Sequence, residues 1–336
     1  MICKDRKKGL AGPYIRAFLK GRKSCFGIKF HLVGSQKTLG GIVMEDYILS
    51  CSSTADMTNG YYSSRDIHHI DCKYTIGGKT YDESMGESVP LSDFYDRMRN
   101  GEIPTTSQID MAEYKEYFKK FLEDGKDVLH ICLSSSISDS YLSAMAAVKE
   151  LKGDYPERQV YVVDSLSASA GMGLLVDILA DKRDEGMPID KLKSYAENSK
   201  KYINHWFFST DLTTYLREDS LTNFTFKIGK TLNFCPLMCV DGEGKLVVIE
   251  KVKTKKKTME AIVSRMETQA VDGTRYTGKC FISHADSEKE ANKLASMLEA
   301  RFPNLKGNVE VKEIGHIIGA HTGPGTVAVF FVGDKR

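Results

Sequence analysis

The chain has 336 residues, of which 41% are hydrophobic and 27% charged, and its formal net charge is +2. This composition is typical of a globular protein and excludes a disordered or fibrous chain, while the length predicts two domains with separate cores. The charge is uneven, because residues 1–45 carry ten Lys or Arg against two acidic residues. Such basic segments are mostly solvated, and no helix-turn-helix or zinc module accompanies this one, so we expect no specific nucleic-acid partner.

The basic segment does not resemble a secretion signal, because Arg16, Lys20, Arg22, Lys23 and Lys29 interrupt each apolar stretch. Further along the chain, no apolar segment is long enough to span a bilayer. Eight cysteines in a chain of this kind are expected to be reduced thiols in the cytosol. Because no grouping of Cys and His has complete zinc-ligand spacing, we expect a cytoplasmic protein without a metal or cofactor.

From Tyr47 onward, short β-rich segments alternate with amphipathic helical segments, which is typical of a sheet covered by helices. The predicted strands are 47–49, 128–133, 159–163, 206–209, 246–252, 279–283, 309–314 and 326–332. The predicted helices are 91–99, 111–123, 138–151, 168–184, 189–202, 258–269 and 287–301. Strict alternation in the first half predicts parallel pairing, whereas the order after Trp206 is mixed and Asp241-Gly242-Glu243-Gly244 predicts a hairpin turn.

We therefore expect an α/β fold with two domains. Residues 1–45 form a basic N-terminal extension, residues 46–204 an N-terminal α/β domain with a mainly parallel sheet, and residues 205–336 a C-terminal α+β domain. The boundary is placed near Asn204 because the alternation of strands and helices changes there.

Four segments rich in hydroxyl side chains lie where a predicted strand ends or a predicted helix begins. They are 52–56, 105–108, 133–140 and 164–173. Helix N-termini have unpaired amides and a partial positive charge, so these positions can receive a carboxylate or a phosphate. A serine that only caps its helix is the common alternative. In an open α/β sheet these loops converge beyond the carboxyl ends of the strands, where ligands usually bind.

The segment from Gly319 to Thr326 places His321 between a predicted strand and a turn containing Gly323, Pro324 and Gly325. The glycines accept positive φ and the proline fixes its own φ, so the chain bends sharply and leaves amides beside the imidazole. A small anion fits such a site, although an ordinary turn before the last strand gives the same pattern. Hydroxyls and one imidazole with few charges favour an acidic headgroup held by hydrogen bonds, and tight binding then requires an apolar tail.

Four motifs occur in the order seen in the DegV family, which this chain resembles from about Tyr47 to its C-terminus. They are Thr106-Ser107-Gln108, Leu133-Ser134-Ser135-x-x-Ser138, Val163-Asp164-Ser165 and Ala320-His321-Thr322-Gly323-Pro324-Gly325. The resemblance implies a fatty-acid-binding protein whose C-terminal domain resembles part of dihydroxyacetone kinase. It also implies a long-chain fatty acid in a buried tunnel between or beside the domains, presented to a separate fatty acid kinase.

By the same resemblance, Thr106, Ser138 and His321 bind the fatty acid carboxylate. Adjacency to these motifs adds Ser107, Ser134, Ser135 and Ser136 as secondary contacts. We expect a monomer that closes around the lipid. The sequence sets neither the length nor the unsaturation of the acyl chain.

The chain departs from the family pattern at three places. The usual Gly-Gly-Arg-Ile segment falls on residues 218–221, which lack arginine, an Arg-Thr pair is Lys253-Thr254, and Ser52 replaces an aspartate. Neither lysine nor serine has the planar guanidinium group with which arginine forms paired hydrogen bonds. These departures therefore concern the kinase partner and leave the three carboxylate residues intact.

The alternative is an enzyme, either a hydrolase or a kinase-like protein that uses Ser138 and His321. A hydrolase of this kind typically has a Gly-x-Ser-x-Gly elbow and an orienting acid, and neither is evident. A nucleotide-binding kinase typically has a Gly-x-x-x-x-Gly-Lys-Ser/Thr loop, which is missing from the sequence. We therefore expect a binding protein without catalytic residues.

Overall fold

The computed structural model describes residues 46–217 and 234–336, together with the backbone of three short strands near the N-terminus. These strands are β1 (His31–Val33), β2 (Gln36–Leu39) and β3 (Ile42–Val43), and they form an antiparallel sheet in that order. Most of the basic extension lies outside the described residues. The same is true of residues 218–221, where the family arginine is missing.

The first large sheet is entirely parallel, which confirms the predicted pairing. Its order is β10-β9-β4-β5, with β4 at Tyr47–Ser52, β5 at His68–Ile70, β9 at Asp127–Cys132 and β10 at Val160–Asp164. Its helices are α1 (Asn59–Ser64), α3 (Met111–Glu123), α4 (Ser140–Asp154), α5 (Ser169–Asp184) and α6 (Ile189–Ser199). Helices α3 and α4 pack together, and α6 packs against β9 and β10.

A small antiparallel sheet was not predicted. It consists of β6 (Lys73–Ile76), β7 (Lys79–Asp82) and β8 (Thr105–Ser107) in the order β7-β6-β8, and α2 (Leu91–Arg99) lies between β7 and β8 in the chain. Residues 105–107 form a strand that was not predicted, and the helix predicted after this segment at 111–123 is confirmed. Helix α3 begins at Met111 and is capped by Asp110, whose side chain accepts from the Glu113 amide at 2.8 Å, while the Glu113 carboxylate accepts from the Asp110 amide.

The second large sheet is mixed, with the order β13-β12-β11-β16-β14-β15, and only β14 and β15 pair in parallel. Its strands are β11 (Ile203–Ser209), β12 (Cys235–Val240), β13 (Leu246–Val252), β14 (Cys280–His284), β15 (Val309–Glu313) and β16 (Thr326–Val332). The helices of this region are α7 (Thr213–Arg217), α8 (Lys255–Gln269), α9 (Glu288–Arg301) and α10 (His316–Thr322). Antiparallel pairing of β12 with β13 confirms the predicted hairpin turn at 241–244.

Helix α5 is buried along most of its length and connects the two large sheets. It packs against β11, β14 and β16 on one side and against the turn that follows β4 on the other. Two glycines permit this approach, since a Cβ at Gly173 would lie 2.7 Å from the Ala55 carbonyl and a Cβ at Gly171 would lie 2.4 Å from His205 Nε2. Gly171 and Gly173 therefore allow the close packing of α5. The division into domains at 204/205 and the likeness to dihydroxyacetone kinase stay predictions.

Candidate functional site

A cavity of about 520 Å³ lies beyond the carboxyl ends of β4 and β9. We call it the polar cavity. Its hydroxyl and imidazole side chains come from four different parts of the chain, and they include Ser52, Thr54, Thr106, Ser107, Ser138 and His321. The parallel sheet, the small sheet and α10 thus bring the three expected carboxylate residues into the lining of one cavity.

Thr106 and His321 are in direct contact in the polar cavity. Thr106 Oγ1 lies 2.8 Å from His321 Nε2, and the two residues belong to β8 and to the last turn of α10. His321 therefore lies in a helix that was not predicted, between the strand and the glycine turn where the sequence placed it. The glycine turn begins just after it, since Gly323 ends α10 with a positive φ of 71°.

Ser138 lies in the loop between β9 and α4, and its hydroxyl is held by the next turn of the chain. Ser138 Oγ donates to Ser140 Oγ at 3.0 Å and accepts from the Ser140 amide at 3.2 Å. Asp139 is the N-cap residue of α4, but its side chain forms no capping hydrogen bond. The Ser138 hydroxyl therefore faces the polar cavity and also satisfies an amide at the start of α4.

Ser134, Ser135 and Ser136, which precede Ser138, form hydrogen bonds with other parts of the protein. Ser134 and Ser136 donate to backbone carbonyls of the β12–β13 turn at 3.0 and 2.7 Å, and Ser135 donates to the Asp164 carboxylate at 2.5 Å. Their amides donate to protein acceptors as well. Only Ser136 of the three lines the polar cavity. Ser134 and Ser136 thus hold the β12–β13 hairpin against the β9–α4 loop, and the amides of all three serines are not available to a ligand.

Lys245 lines the polar cavity, and the sequence reasoning did not identify it. It follows the β12–β13 turn and forms an ion pair of 2.7 Å with Glu243, with 45% of its side chain exposed. A lysine after a hairpin turn is common on protein surfaces. Its position at this cavity depends on the contacts of Ser134 and Ser136 with the turn, which no local pattern reveals.

A second, smaller cavity of about 50 Å³ lies beside the polar cavity and is almost entirely apolar. We call it the apolar chamber, and its walls include Phe207, Val240, Ile314, Ala328 and Phe330. Ala168, Leu246, Ile318 and Thr322 line both cavities, so they share a wall. A polar cavity and a small apolar space are therefore adjacent.

Helix α10 is fixed at its start by a buried pair formed by His316 and Glu83. His316 Nδ1 lies 2.9 Å from the Glu83 carboxylate, and His316 Nε2 donates to the Val89 carbonyl at 2.8 Å. Each ring nitrogen of His316 therefore faces an oxygen acceptor. Burial raises the pKa of Glu83, but the hydrogen bond and charge of His316 and the amides of Ile317 and Met85 outweigh it and lower that pKa overall.

Asp56 connects the start of α5 with the residue before α10. Its carboxyl group accepts from Ser169 Oγ at 2.5 Å and from the Gly315 amide at 3.2 Å. Burial raises the pKa of Asp56 well above its usual value and the negative charge of Glu83 adds to this, against the lowering by its two hydrogen bonds. Asp56 is therefore a buried acid that resists ionisation close to the helix that carries His321.

No group of three or more His, Cys, Asp and Glu within 46–217 and 234–336 is arranged to hold a metal ion. None of the helices described is both long enough and apolar enough to cross a membrane. The six cysteines in these ranges are free thiols, and all but Cys239 are buried.

Known proteins resemble this chain over most of its length. The model of a family described as "Uncharacterised protein, DegV family" matches residues 51–334. A DegV domain-containing protein of Clostridium perfringens is 30% identical over 293 residues, which are 87% of this chain and 99% of that protein. A Thermotoga maritima protein named fatty acid-binding protein is 28% identical over 279 residues, 82% of this chain and 93% of its own.

A solved structure has the same fold. The crystal structure of DegV, a fatty acid binding protein from Bacillus subtilis, has a TM-score of 0.72 and 26% identity, with 87% of this chain and 100% of that chain covered. The family model, the sequence relatives and this structure agree over nearly all of the region that the motifs delimit. The chain belongs to the DegV family.

Proposed function

We propose that this protein binds a long-chain fatty acid, with the carboxylate in the polar cavity and the acyl chain along the shared wall into the apolar chamber. The observation that carries the proposal is the contact between Thr106 and His321 in a cavity that Ser138 also lines, beside an apolar chamber. Neutral hydroxyls and an imidazole can orient a carboxylate by hydrogen bonds. They leave the apolar chain to supply most of the affinity.

Approximate free energies support the view that the carboxylate contacts orient the ligand and the acyl chain supplies most of the affinity. Hydrogen bonds to a charged group contribute about 1.5–3 kcal/mol each, which places the head but does not give tight binding by itself. Burial of each methylene contributes about 0.8 kcal/mol, so a chain of about fifteen methylenes supplies roughly 12 kcal/mol before the costs of ordering and association. The names of the Thermotoga maritima relative and the Bacillus subtilis structure describe proteins that bind such ligands.

We also propose that the protein acts as a cytoplasmic monomer without catalytic turnover. The hydrolase alternative requires Ser138 to be activated by His321. The structure pairs His321 Nε2 with Thr106 and Ser138 Oγ with Ser140, which favours binding over nucleophilic catalysis.

Presentation of the fatty acid to a kinase stays a prediction of the resemblance. At Lys253-Thr254, where the family has Arg-Thr, the threonine hydroxyl accepts from the Lys257 amide at 3.3 Å and caps α8. The threonine thus has a structural role that does not depend on a partner.

Native mass spectrometry of freshly purified protein tests the binding proposal. We expect a copurifying mass that matches a fatty acid, and saturable binding of added oleate or palmitate. Thr106→Val, Ser138→Ala and His321→Ala should each weaken this binding while the protein stays folded. Protein that purifies without lipid and does not bind added oleate or palmitate would refute the proposal. Unchanged affinity in all three variants would refute the assignment of the site.

A further inference from the structure

The apolar chamber is too small, as it stands, for the acyl chain that the proposed function places there. Its volume is about 50 Å³, which is room for a few water molecules and not for a long acyl chain. Packed protein interiors yield little space without moving a part of the structure. A part of the chamber wall therefore has to move when a fatty acid enters.

One side of the chamber is formed by the end of the β12–β13 hairpin. Val240 and Leu246 are opposite each other in the last residue pair before the turn, and both line the chamber. Leu246 also lines the polar cavity, as does Lys245 beside it. The end of the hairpin, residues 240–246, therefore lies between the two cavities, and an outward movement of it would join them.

The hairpin is joined to the rest of the mixed sheet over a short length. Within the described residues, β12 pairs with β11 at two positions, Trp206 with Cys239 and Phe207 with Met238, whereas β11 and β16 pair at seven. The register of the hairpin shifts between Leu237 and Met238, and β13 is an edge strand. Because such irregularities bend a strand, they give the hairpin a point about which its outer end can pivot.

The turn of the hairpin has internal hydrogen bonds that preserve its shape. The Asp241 carboxylate accepts from the amides of Glu243 and Lys245 at 2.9 and 3.0 Å. The Asp241 amide in turn donates to the Lys245 carbonyl at 2.9 Å. An aspartate that bonds its own turn in this way stabilises it locally, so the turn can move as one unit.

Three polar side chains hold this turn against other parts of the protein. Ser134 and Ser136 donate to its carbonyls at 3.0 and 2.7 Å, and Arg336 donates to the Asp241 carbonyl at 3.0 Å. The fit is close, since a Cβ at Gly244 would lie 2.1 Å from Ser134 Oγ. Single hydrogen bonds of this kind contribute little each, so they can break and form again without unfolding the sheet.

We propose that the end of the β12–β13 hairpin is a gate to the apolar chamber, and that Ser134 and Ser136 are the latch that keeps it closed. The inference rests on the proposed function, in which the polar cavity binds the carboxylate and the acyl chain extends from it. When the latch opens, Val240 and Leu246 move outward and the chain enters from the polar cavity. Because the latch closes with and without ligand, it sets the rates of entry and exit more than the affinity.

Stopped-flow mixing with cis-parinaric acid, a fluorescent long-chain fatty acid, tests this inference on the intact chain. In the double variant Ser134→Ala and Ser136→Ala, the association and dissociation rate constants should both rise about tenfold to thirtyfold, the effect of two lost hydrogen bonds, so that their ratio changes little. Serines that only contacted the ligand would raise the dissociation rate constant alone. Ser143→Ala, which removes a hydroxyl of α4, is the control and should change neither rate constant.

A reversible cross-link tests the gate in the opposite direction. Ser136→Cys combined with Glu243→Cys places two thiols where the Ser136 hydroxyl and the turn now meet, and a disulfide between them would hold the turn in place. The oxidised variant should take up cis-parinaric acid far more slowly than the same protein after reduction with dithiothreitol.

Unchanged rate constants in the double alanine variant would overturn the inference and leave the fatty-acid function standing. An oxidised cross-linked variant that binds the acid as fast as the reduced one would do the same. Failure of the wild type to bind the acid would end both proposals. If the double variant does not fold, Ser136→Ala decides by itself, because Ser136 is exposed. It should raise both rate constants about threefold to fivefold, the effect of one lost hydrogen bond.

Discussion

The hydroxyl of Thr106 lies 2.8 Å from Nε2 of His321, and this contact joins the small antiparallel sheet to the end of α10. The two residues come from parts of the chain that are distant in sequence, and each is held by its own element. Thr106 is opposite Tyr74 in the pairing of β8 with β6, and the start of α10 is anchored by His316 on the same small sheet. The geometry of the contact is therefore set before a ligand arrives.

Thr106→Val keeps the shape and the β-branched side chain but removes the hydroxyl. We expect fatty acid affinity to fall about tenfold, the effect of one hydrogen bond to a carboxylate, with little change in stability. Isothermal titration calorimetry with palmitate measures it. Thr105→Val is the control, because successive residues of a strand face opposite sides and Thr105 does not line the polar cavity. Equal losses in both variants would contradict the role of Thr106.

Ser138→Ala should affect both binding and the start of α4. The variant loses a hydroxyl of the polar cavity and the acceptor for the Ser140 amide, so we expect weaker palmitate binding and a loss of about 1 kcal/mol in the free energy of unfolding. Ser143→Ala, one turn further along α4, should change neither quantity. A loss of stability with full affinity would show that Ser138 is only a structural residue.

Lys245 is the cation that the structure adds to the polar cavity. Because its side chain is 45% exposed, its attraction for a carboxylate is screened by salt. Lys245→Gln should weaken palmitate binding about twofold to threefold at low ionic strength and have no effect at about 1 M salt. Lys256→Gln on α8 is the control, since Lys256 does not line the cavity. An effect that persists at high salt would point to packing by the lysine stem.

The parallel sheet and the long helices could be predicted from the sequence because their apolar periodicity is strong and local. The small sheet could not be predicted, because β6 and β7 have four residues each and β8 has three. Strands this short form only when they pair with one another. Helix α10 has only seven residues and includes Gly319, so its sequence is a weak helix signal. It forms against Glu83, which is far away in the chain.

The same distinction applies to the site. Motifs identified Thr106, Ser138 and His321, which all line the polar cavity, because each lies in a segment with a characteristic order of residues. The hydroxyls of Ser134 and Ser135 gave the same local signal but contact the β12–β13 turn and Asp164. Sequence reasoning cannot separate these two uses of a serine, since the turn approaches only after the sheets pack together.

Glu83→Gln tests the anchor of α10. The folded-state pKa of Glu83 lies below its usual value, so its ionised form stabilises the fold above about pH 4.5, and this contribution is lost as the pH falls through the folded-state pKa. We expect the variant to unfold about 2–3 kcal/mol more easily at pH 7, with the difference shrinking below pH 4.5. Urea denaturation across pH measures it. Glu87→Gln is an exposed control, and an equal pH dependence there would contradict the assignment.

Asp56→Asn should change the free energy of unfolding in the opposite direction to Glu83→Gln. Its folded-state pKa is raised, so the unfolded chain releases this proton at lower pH than the folded chain, and stability falls as the pH rises from about 3.8 through the folded-state pKa. Asparagine keeps an acceptor for the Gly315 amide, and its amide can donate to Ser169 Oγ. The variant should therefore be more stable than the wild type at neutral pH and differ little from it near pH 4.

The matched control for Asp56→Asn is Asp66→Asn. Both aspartates have a left-handed backbone, with φ of 52° and 47°, which asparagine also tolerates, but Asp66 is exposed. A backbone effect would stabilise both variants equally and at every pH, whereas desolvation of the carboxylate acts only at Asp56 and grows with pH. Chemical denaturation between pH 4 and pH 8 distinguishes them. A loss of stability in Asp56→Asn at pH 7 would mean that the buried carboxylate is ionised and held by its two hydrogen bonds.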